Sequence, residues 1–207
     1  MNKSQRQAVH GAIRAEAGRQ PAAGPRVKAI GTVHRMLRSG TRSDHALIDG
    51  MLVAFDLTKA RDYELFLSIH AESLQALAGV WRDEDGEDFR AMLRLLKSDL
   101  AILGSSTSSS CIHACITESR GAGLGVAYVL RGSRLGAAFL RRSVPAAMPT
   151  SYLDFAPTLS WSDFLDQLEI LAGDPAGGQA AMVAARNTFA VFLCAANRRQ
   201  ERSGTLL

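Results

Sequence analysis

Residues 37–52 read LRSGTRSDHALIDGML, and the pattern in this stretch decides how the chain is interpreted. Its side chains repeat at spacings of three and four residues, as they do along one face of an α-helix. The residues on that face are Leu37, Thr41, His45, Ile48, Leu52 and Phe55. We therefore predict a helix over residues 27–55, broken or bent around Gly40, with the imidazole of His45 pointing inward.

An inward-pointing histidine has two ordinary explanations. It is a structural residue that forms a hydrogen bond to a core neighbour, or it is a metal ligand whose second ring nitrogen is held by an acceptor. Asp49, four residues further along the same side of the helix, is either that acceptor or an exposed carboxylate. His70 lies in a similar apolar stripe, DYELFLSIHAESL at residues 62–74. Spacing alone does not choose between the two histidines.

A row of glycines is the second unusual feature. Gly125, Gly132 and Gly136 are seven and four residues apart, so they share one face of a helix predicted over residues 123–143. Each interior glycine costs about 1 kcal/mol relative to alanine. A face without side chains therefore indicates either close packing against another helix or room for a flat ligand. Arginines border this row, where they either meet an anion or form a solvated face: Arg131, Arg134, Arg141 and Arg142.

Composition limits the class of protein. A chain of 207 residues, 47% of them hydrophobic, is long enough for one substantial core. A net charge of +4 mildly favours anionic ligands, and we expect no nucleic-acid partner. Arginines interrupt the apolar segments, so we expect no membrane span. Three cysteines and a start without a secretory signal indicate a protein of the reducing cytoplasm.

The predicted architecture is all-α. Besides the helix that carries His45, the hydrophobic pattern predicts further helices over residues 62–81, 89–103, 111–119, 123–143, 160–172 and 176–200. The polar residues 82–88 are expected to form a turn. Asp174 and Pro175 suit the N-cap and first position of the last helix. Residues 1–27 are expected to be a basic extension, and residues 28–207 a single helical domain.

Two of these stretches carry a family resemblance. LRSGTRSDHALIDGML (37–52) and YVLRGSRLGAAFLRR (128–142) resemble the proximal and distal helix motifs of heme oxygenases, particularly the bacterial ones. Three other stretches are similar to the helices that complete that fold: DYELFLSIHAESL (62–74), YLDFAPTLSWSDFLDQL (152–168) and AARNTFAVFLCAA (184–196). The resemblance extends over about residues 30–200.

The resemblance implies a role for each motif residue. His45, rather than His70, matches the proximal haem-iron ligand, and Asp49 matches a carboxylate that steadies its other ring nitrogen. Aspartate is one methylene shorter than the glutamate of animal members, so a water-mediated contact or none is expected. Gly132 and Gly136 match the glycines that let the distal helix approach the haem.

One distal position departs from the animal enzymes. Ser133 stands where they have a catalytic aspartate, which leaves the proton relay unassigned, and we expect an ordered water near this serine. Haem propionates need basic partners at the mouth of the pocket. Arg38 and, on the last helix, Arg186 are the candidates, unless they are ordinary surface arginines. Thr41 and Tyr128 complete the expected haem contacts.

The implied activity is oxidative cleavage of haem. Haem is both substrate and cofactor, O2 and an external electron donor such as a ferredoxin or reductase system are required, and the products are biliverdin, carbon monoxide and free iron. Two alternatives stay open. The protein is a haem carrier or sensor with the same pocket, or it has a related helical fold that binds no haem.

Overall fold

The computed structural model describes residues 31–106, 112 and 114–202, so the predicted extension over residues 1–27 lies outside the described residues. Eight α-helices and one 3-10 turn occur in these ranges, without any strand, and the all-α prediction is confirmed. The elements are α1 (Thr32–Gly40), α2 (Arg42–Leu52), α3 (Ala60–Ala76), the 3-10 turn Ala78–Val80, α4 (Asp83–Ile102), α5 (Arg120–Arg141), α6 (Ser151–Asp154), α7 (Trp161–Leu171) and α8 (Pro175–Arg202).

The predicted break in the first helix is present. Thr41 separates α1 from α2, and its hydroxyl donates a hydrogen bond to the Leu37 carbonyl at 2.8 Å. A side chain at Gly40 would overlap the end of Met182 on α8, which lies 2.5 Å from the Cβ position. The junction therefore approaches α8 closely, and any side chain at Gly40 would require the flexible end of Met182 to move.

Two local predictions were wrong. The acidic residues 83–88 form the first turns of α4 rather than a turn between helices, because carboxylates are favourable at a helix N-terminus and two of them are buried against Arg131. The helix predicted over 111–119 is absent from residues 114–119. Ser119 instead caps α5, since its hydroxyl accepts a hydrogen bond from the Ala122 amide at 3.1 Å.

The last helix, α8, is the central element, and α1, α2, α3 and α5 all pack against it. The Gly177 amide donates to the Asp174 carboxylate at 2.9 Å, which confirms the predicted N-cap. By length and composition, Pro175–Arg199 is one helix that could also cross a membrane, although half of its apolar window is buried inside the protein, as in a core helix. The expectation of no membrane span stays a prediction, since the arginines on which it rests lie around α5 and not in α8.

The bordering arginines divide by burial. Arg131 is only 3% exposed and donates to the carboxylates of Asp85 and Asp88 on α4, at 2.9 and 3.0 Å. Arg134 donates to the carbonyls of Tyr152 and Leu153. These two side chains therefore tie α4, α5 and α6 together.

The other two arginines lie further out. Arg141 pairs with Asp154 at 3.1 Å at the surface, and Arg142 is exposed. Three of the four arginines thus contact other parts of the chain. From sequence, they were expected either to meet an anion or to form a solvated face, and Arg142 alone fits the solvated face.

Candidate functional site

His45 lies on α2 at the edge of its contact with α8. Its ring meets that of Phe189 edge-on, with 5.7 Å between the centroids. The side chain is 49% exposed, so the prediction that it is buried with the rest of its stripe was wrong. Leu37, Thr41 and Ile48 do lie in the core, whereas α8 covers only one side of α2 and leaves His45 accessible.

Asp49 contacts His45 directly. The distance from its Oδ2 to the imidazole Nδ1 is 2.8 Å, so the expectation of a water-mediated contact or none was wrong. This hydrogen bond raises the pKa of His45 above its ordinary value, against the opposing effect of partial burial. With Nδ1 donating to the carboxylate, Nε2 is the ring nitrogen available to a ligand.

His70 has a different environment. It is 6% exposed, and its Nδ1 donates to the Phe66 carbonyl at 2.8 Å. Aromatic rings of Phe66, Tyr152 and Phe192 surround it, and burial lowers its pKa to about 4. His70 is therefore a neutral core residue whose hydrogen bond is satisfied, which is the structural explanation considered from sequence.

The glycine row has two parts with different surroundings. At Gly125, a Cβ would overlap the carbonyl oxygen of Ala181 on α8, so this part is a packing seam. At Gly132, a Cβ would lie in ordinary contact with Trp161, 3.5 Å from its ring. At Gly136, a Cβ would meet no atom within 4 Å. The first part of the row is therefore explained by helix packing, whereas the second part borders open space at Gly136.

Ser133 and Tyr128 lie near the second half of the row. The Ser133 side chain is exposed, and its hydroxyl donates to the Leu130 carbonyl of its own helix at 2.8 Å. Tyr128 is half-buried, and this burial raises the pKa of its phenol to about 12. The phenol is therefore neutral at physiological pH and able to donate a hydrogen bond.

The three other predicted contacts differ in accessibility. Arg38 is exposed on α1, where its charge contributes to lowering the pKa of His34, after the larger effect of burial. Arg186 pairs with Asp44 of α2 at 3.1 Å. Thr41 is 4% exposed and uses its hydroxyl in the helix junction. Of these three, only Arg38 makes no ion pair or side-chain hydrogen bond with another described residue.

Sequence reasoning missed His34 and Trp161. The His34 ring lies 6.0 Å from that of Tyr128 and 6.1 Å from that of Trp161, measured between centroids. His34 could have been found, because it precedes Arg38, Thr41 and His45 at spacings of four, three and four. Trp161 had no local signal, since a tertiary contact brings it to Gly132.

No protein-only metal centre is present in the part of the chain that the structure describes, since no group of three histidine, cysteine or carboxylate side chains comes together there. The candidate site consists of one accessible imidazole, its carboxylate partner and an open glycine face on a second helix. Both helices lie against α8. Contacts with α8 run from Gly40–Met182 at the end of α1 to Asp44–Arg186 in α2, and from Gly121–Gly177 to Gly125–Ala181 in α5, so α2 and α5 both follow the direction of α8.

Comparison with solved structures gives a match to this architecture. The NO- and CO-bound heme oxygenase from Neisseria meningitidis superposes with a TM-score of 0.68, at 21% sequence identity, over 83% of this chain and 92% of that chain. This chain has the heme oxygenase fold. No protein-family model and no curated protein sequence matches it. At this identity the likeness to heme oxygenase concerns the fold alone.

Proposed function

We propose that this protein is a heme oxygenase, with residues 28–207 as its catalytic domain in the cytoplasm. It binds haem between α2 and α5 and, with O2 and electrons from an external donor such as a ferredoxin or a reductase system, converts it to biliverdin, carbon monoxide and iron. The observation that carries this proposal is the accessible His45, oriented by Asp49, in a heme oxygenase fold whose distal helix has an open glycine face.

The residues present fit haem better than a bare metal ion. Protein-only sites for transition metals use three or four side chains, whereas haem iron already has four porphyrin nitrogens and needs one axial ligand. His45 is such a single ligand. The free space at Gly136 suits a flat macrocycle, because a residue without a Cβ lets the backbone approach it closely. The single histidine ligand and the open glycine face therefore both fit haem.

His45 would hold the iron through Nε2 while its Nδ1 donates to Asp49. That carboxylate fixes the tautomer and the ring orientation and increases the basicity of the imidazole. When bound, haem supplies the iron that activates O2 and the porphyrin ring that is cleaved. A neutral imidazole, unlike a thiolate, would add no negative charge to the iron. The role of His45 and Asp49 would therefore be to hold and orient the substrate.

The distal residues would shape the O2 side of the site. Gly132 and Gly136 keep side chains away from the macrocycle, which leaves room next to the ring edge. The Ser133 hydroxyl donates to its own helix, so its oxygen is free to accept a hydrogen bond from water. We assign Ser133 the role of holding a water that delivers protons, since it is the hydroxyl beside the two glycines.

The propionates would meet the exposed Arg38 and the neutral phenol of Tyr128. A guanidinium and a phenol both donate to carboxylates, and the guanidinium also supplies charge. Arg186 would contribute only after leaving Asp44. Thr41 would act indirectly. Its hydroxyl stabilises the junction between α1 and α2, and this junction sets the direction of the helix that carries His45.

The direct test is turnover of hemin by the purified protein in air, with ascorbate as reductant and catalase to remove free peroxide. We expect the Soret band to be replaced by biliverdin absorption, with one carbon monoxide released per haem cleaved. Haem that stays bound and intact under an effective reductant would identify a carrier or sensor and contradict the proposed activity. Gly136→Leu, which fills the open face, is the matched control and is expected to abolish turnover.

A further inference from the structure

An aromatic cluster joins three helices beside the candidate site. His34 of α1, Tyr128 of α5 and Trp161 of α7 have ring centroids 5.5 to 6.1 Å apart. The cluster connects α1 to α5. The first of these helices leads into α2, which carries His45, and the second carries the glycine row. Trp161 is its largest member and contacts both of the other rings.

The position of Trp161 is fixed at both ends of its helix. Ser160 caps the start of α7 by accepting the Asp163 amide at 3.2 Å, and the Phe164 ring stacks on the indole at 5.7 Å. Near the end of α7, the Glu169 carboxylate accepts the backbone amides of Val33 and His34 at 3.1 and 2.7 Å. A carboxylate at a helix N-terminus is favourable, so α7 is anchored to the start of α1.

Trp161 also marks where the open glycine face begins. Its ring lies 3.5 Å from the position that a Cβ would take at Gly132, whereas no atom lies within 4 Å of that position at Gly136. The two glycines are one helical turn apart on the same face. A flat ligand that lies on Gly136 and extends toward Gly132 therefore meets the indole edge.

We propose that Trp161 is a specificity-determining residue that forms one wall of the haem site, beside Tyr128. This inference rests on the proposed function. The indole would meet one edge of the macrocycle at the level of Gly132, next to the propionate contacts, and so fix how haem is rotated in its own plane. Since only one meso carbon is then held in the reacting position, Trp161 would select the biliverdin isomer.

The experiment reconstitutes the full chain with hemin and records the proton NMR spectrum of the ferric cyanide complex at equilibrium. The hyperfine-shifted haem methyl resonances report in-plane orientation without any turnover. Trp161→Ala and Trp161→Phe are compared with wild type. Trp81→Phe is the matched control, because Trp81 packs on Phe89 and does not come within 4 Å of the Cβ positions at Gly132 and Gly136.

We expect one dominant set of methyl resonances in wild type and Trp81→Phe, and a second set in Trp161→Ala. Trp161→Phe keeps an aromatic ring for folding but leaves a gap, and should give a smaller second set. The ratio of biliverdin isomers should change in the same order. Wild-type methyl patterns in both Trp161 variants would overturn the role of Trp161 alone, whereas failure of wild type to bind hemin through His45 would instead contradict the proposed function.

Discussion

The direct contact between His45 and Asp49 determines how binding at this site should depend on pH. The hydrogen bond to Asp49 raises the pKa of His45 above 6.5, and iron can bind Nε2 only after that nitrogen has lost its proton. Hemin affinity should therefore fall as the pH decreases through this raised pKa. Asp49→Asn removes the charge, so the midpoint should move down toward 6.5.

Two titrations check this prediction: the imidazole resonances of the apoprotein by NMR, and the hemin dissociation constant at each pH. Asp44→Asn is the control, because Asp44 is also an acidic residue of α2 but pairs with Arg186. A midpoint that is the same in wild type and Asp49→Asn would show that Asp49 does not control the ligand.

Ser133 provides a second test at a single residue. If its hydroxyl holds the proton-delivering water, Ser133→Ala should lower the yield of biliverdin per electron consumed, since reduced oxygen would leave the site unused. General acid–base groups typically contribute about 10²-fold or more to rate, and a solvent-exposed water can replace part of that effect. Coupling ratios from oxygen uptake and pigment absorbance measure the change, and an unchanged ratio would remove Ser133 from the mechanism.

The sequence predicted the pairing of His45 with Asp49 but not its geometry. Residues four apart on a helix have neighbouring side chains, which made the pair visible. The contact is direct despite the shorter aspartate, since the imidazole itself reaches the carboxylate. Exposure was mispredicted because it depends on how much of α2 the distant helix α8 covers.

Within α5, the two halves of the glycine row should respond oppositely to a methyl group. Gly125→Ala forces Cβ into the Ala181 carbonyl and should destabilise the apoprotein by about 1–3 kcal/mol. Gly136→Ala meets no atom and should stabilise it by about 1 kcal/mol, the usual helix preference of alanine. Urea unfolding of the apoproteins compares the two.

Hemin binding by the Gly136→Ala variant tests whether this part of α5 faces a ligand. Gly136→Ala should weaken hemin binding by about tenfold, because a methyl group forced against a bound ring costs at least about 1.4 kcal/mol. Equal hemin affinity in Gly136→Ala and wild type would contradict a ligand face at this turn of α5.

Helix positions followed from periodicity, but two element boundaries did not. The acidic start of α4 resembles a solvated turn in sequence, and the long-range contact that buries it is with the guanidinium of Arg131, from another helix. The segment at 114–119 carries some helical pattern, yet the cap at Ser119 starts the next helix instead. Both errors come from long-range contacts and caps that a local pattern does not contain.

For the molecule as a whole, the buried ion network of Arg131 should control stability. Arg131→Met leaves Asp88 buried without its cation and Asp85 with Arg82 alone, and should destabilise the protein by about 3–5 kcal/mol. The exposed Arg142→Met should change stability by less than about 0.5 kcal/mol. Equal unfolding midpoints for the two variants in urea would contradict a structural role for this network.

The fold was predictable as a whole because two motifs, around His45 and around Gly132, stand in the order and separation typical of heme oxygenases. The position of α7 beside the candidate site could not be predicted. Trp161 contacts Gly132 and Glu169 contacts His34 across more than twenty residues of sequence. Motifs predicted the two helices of the candidate site, whereas only the structure showed that α7 contacts both α1 and α5.

The central claim, that His45 binds haem iron, is tested most directly by hemin titration of wild type, His45→Ala, and His45→Ala with added imidazole. We predict a histidine-type Soret spectrum with one equivalent bound for wild type, its loss in the variant, and its return when imidazole fills the space of the missing ring. An unchanged spectrum in His45→Ala would contradict the account.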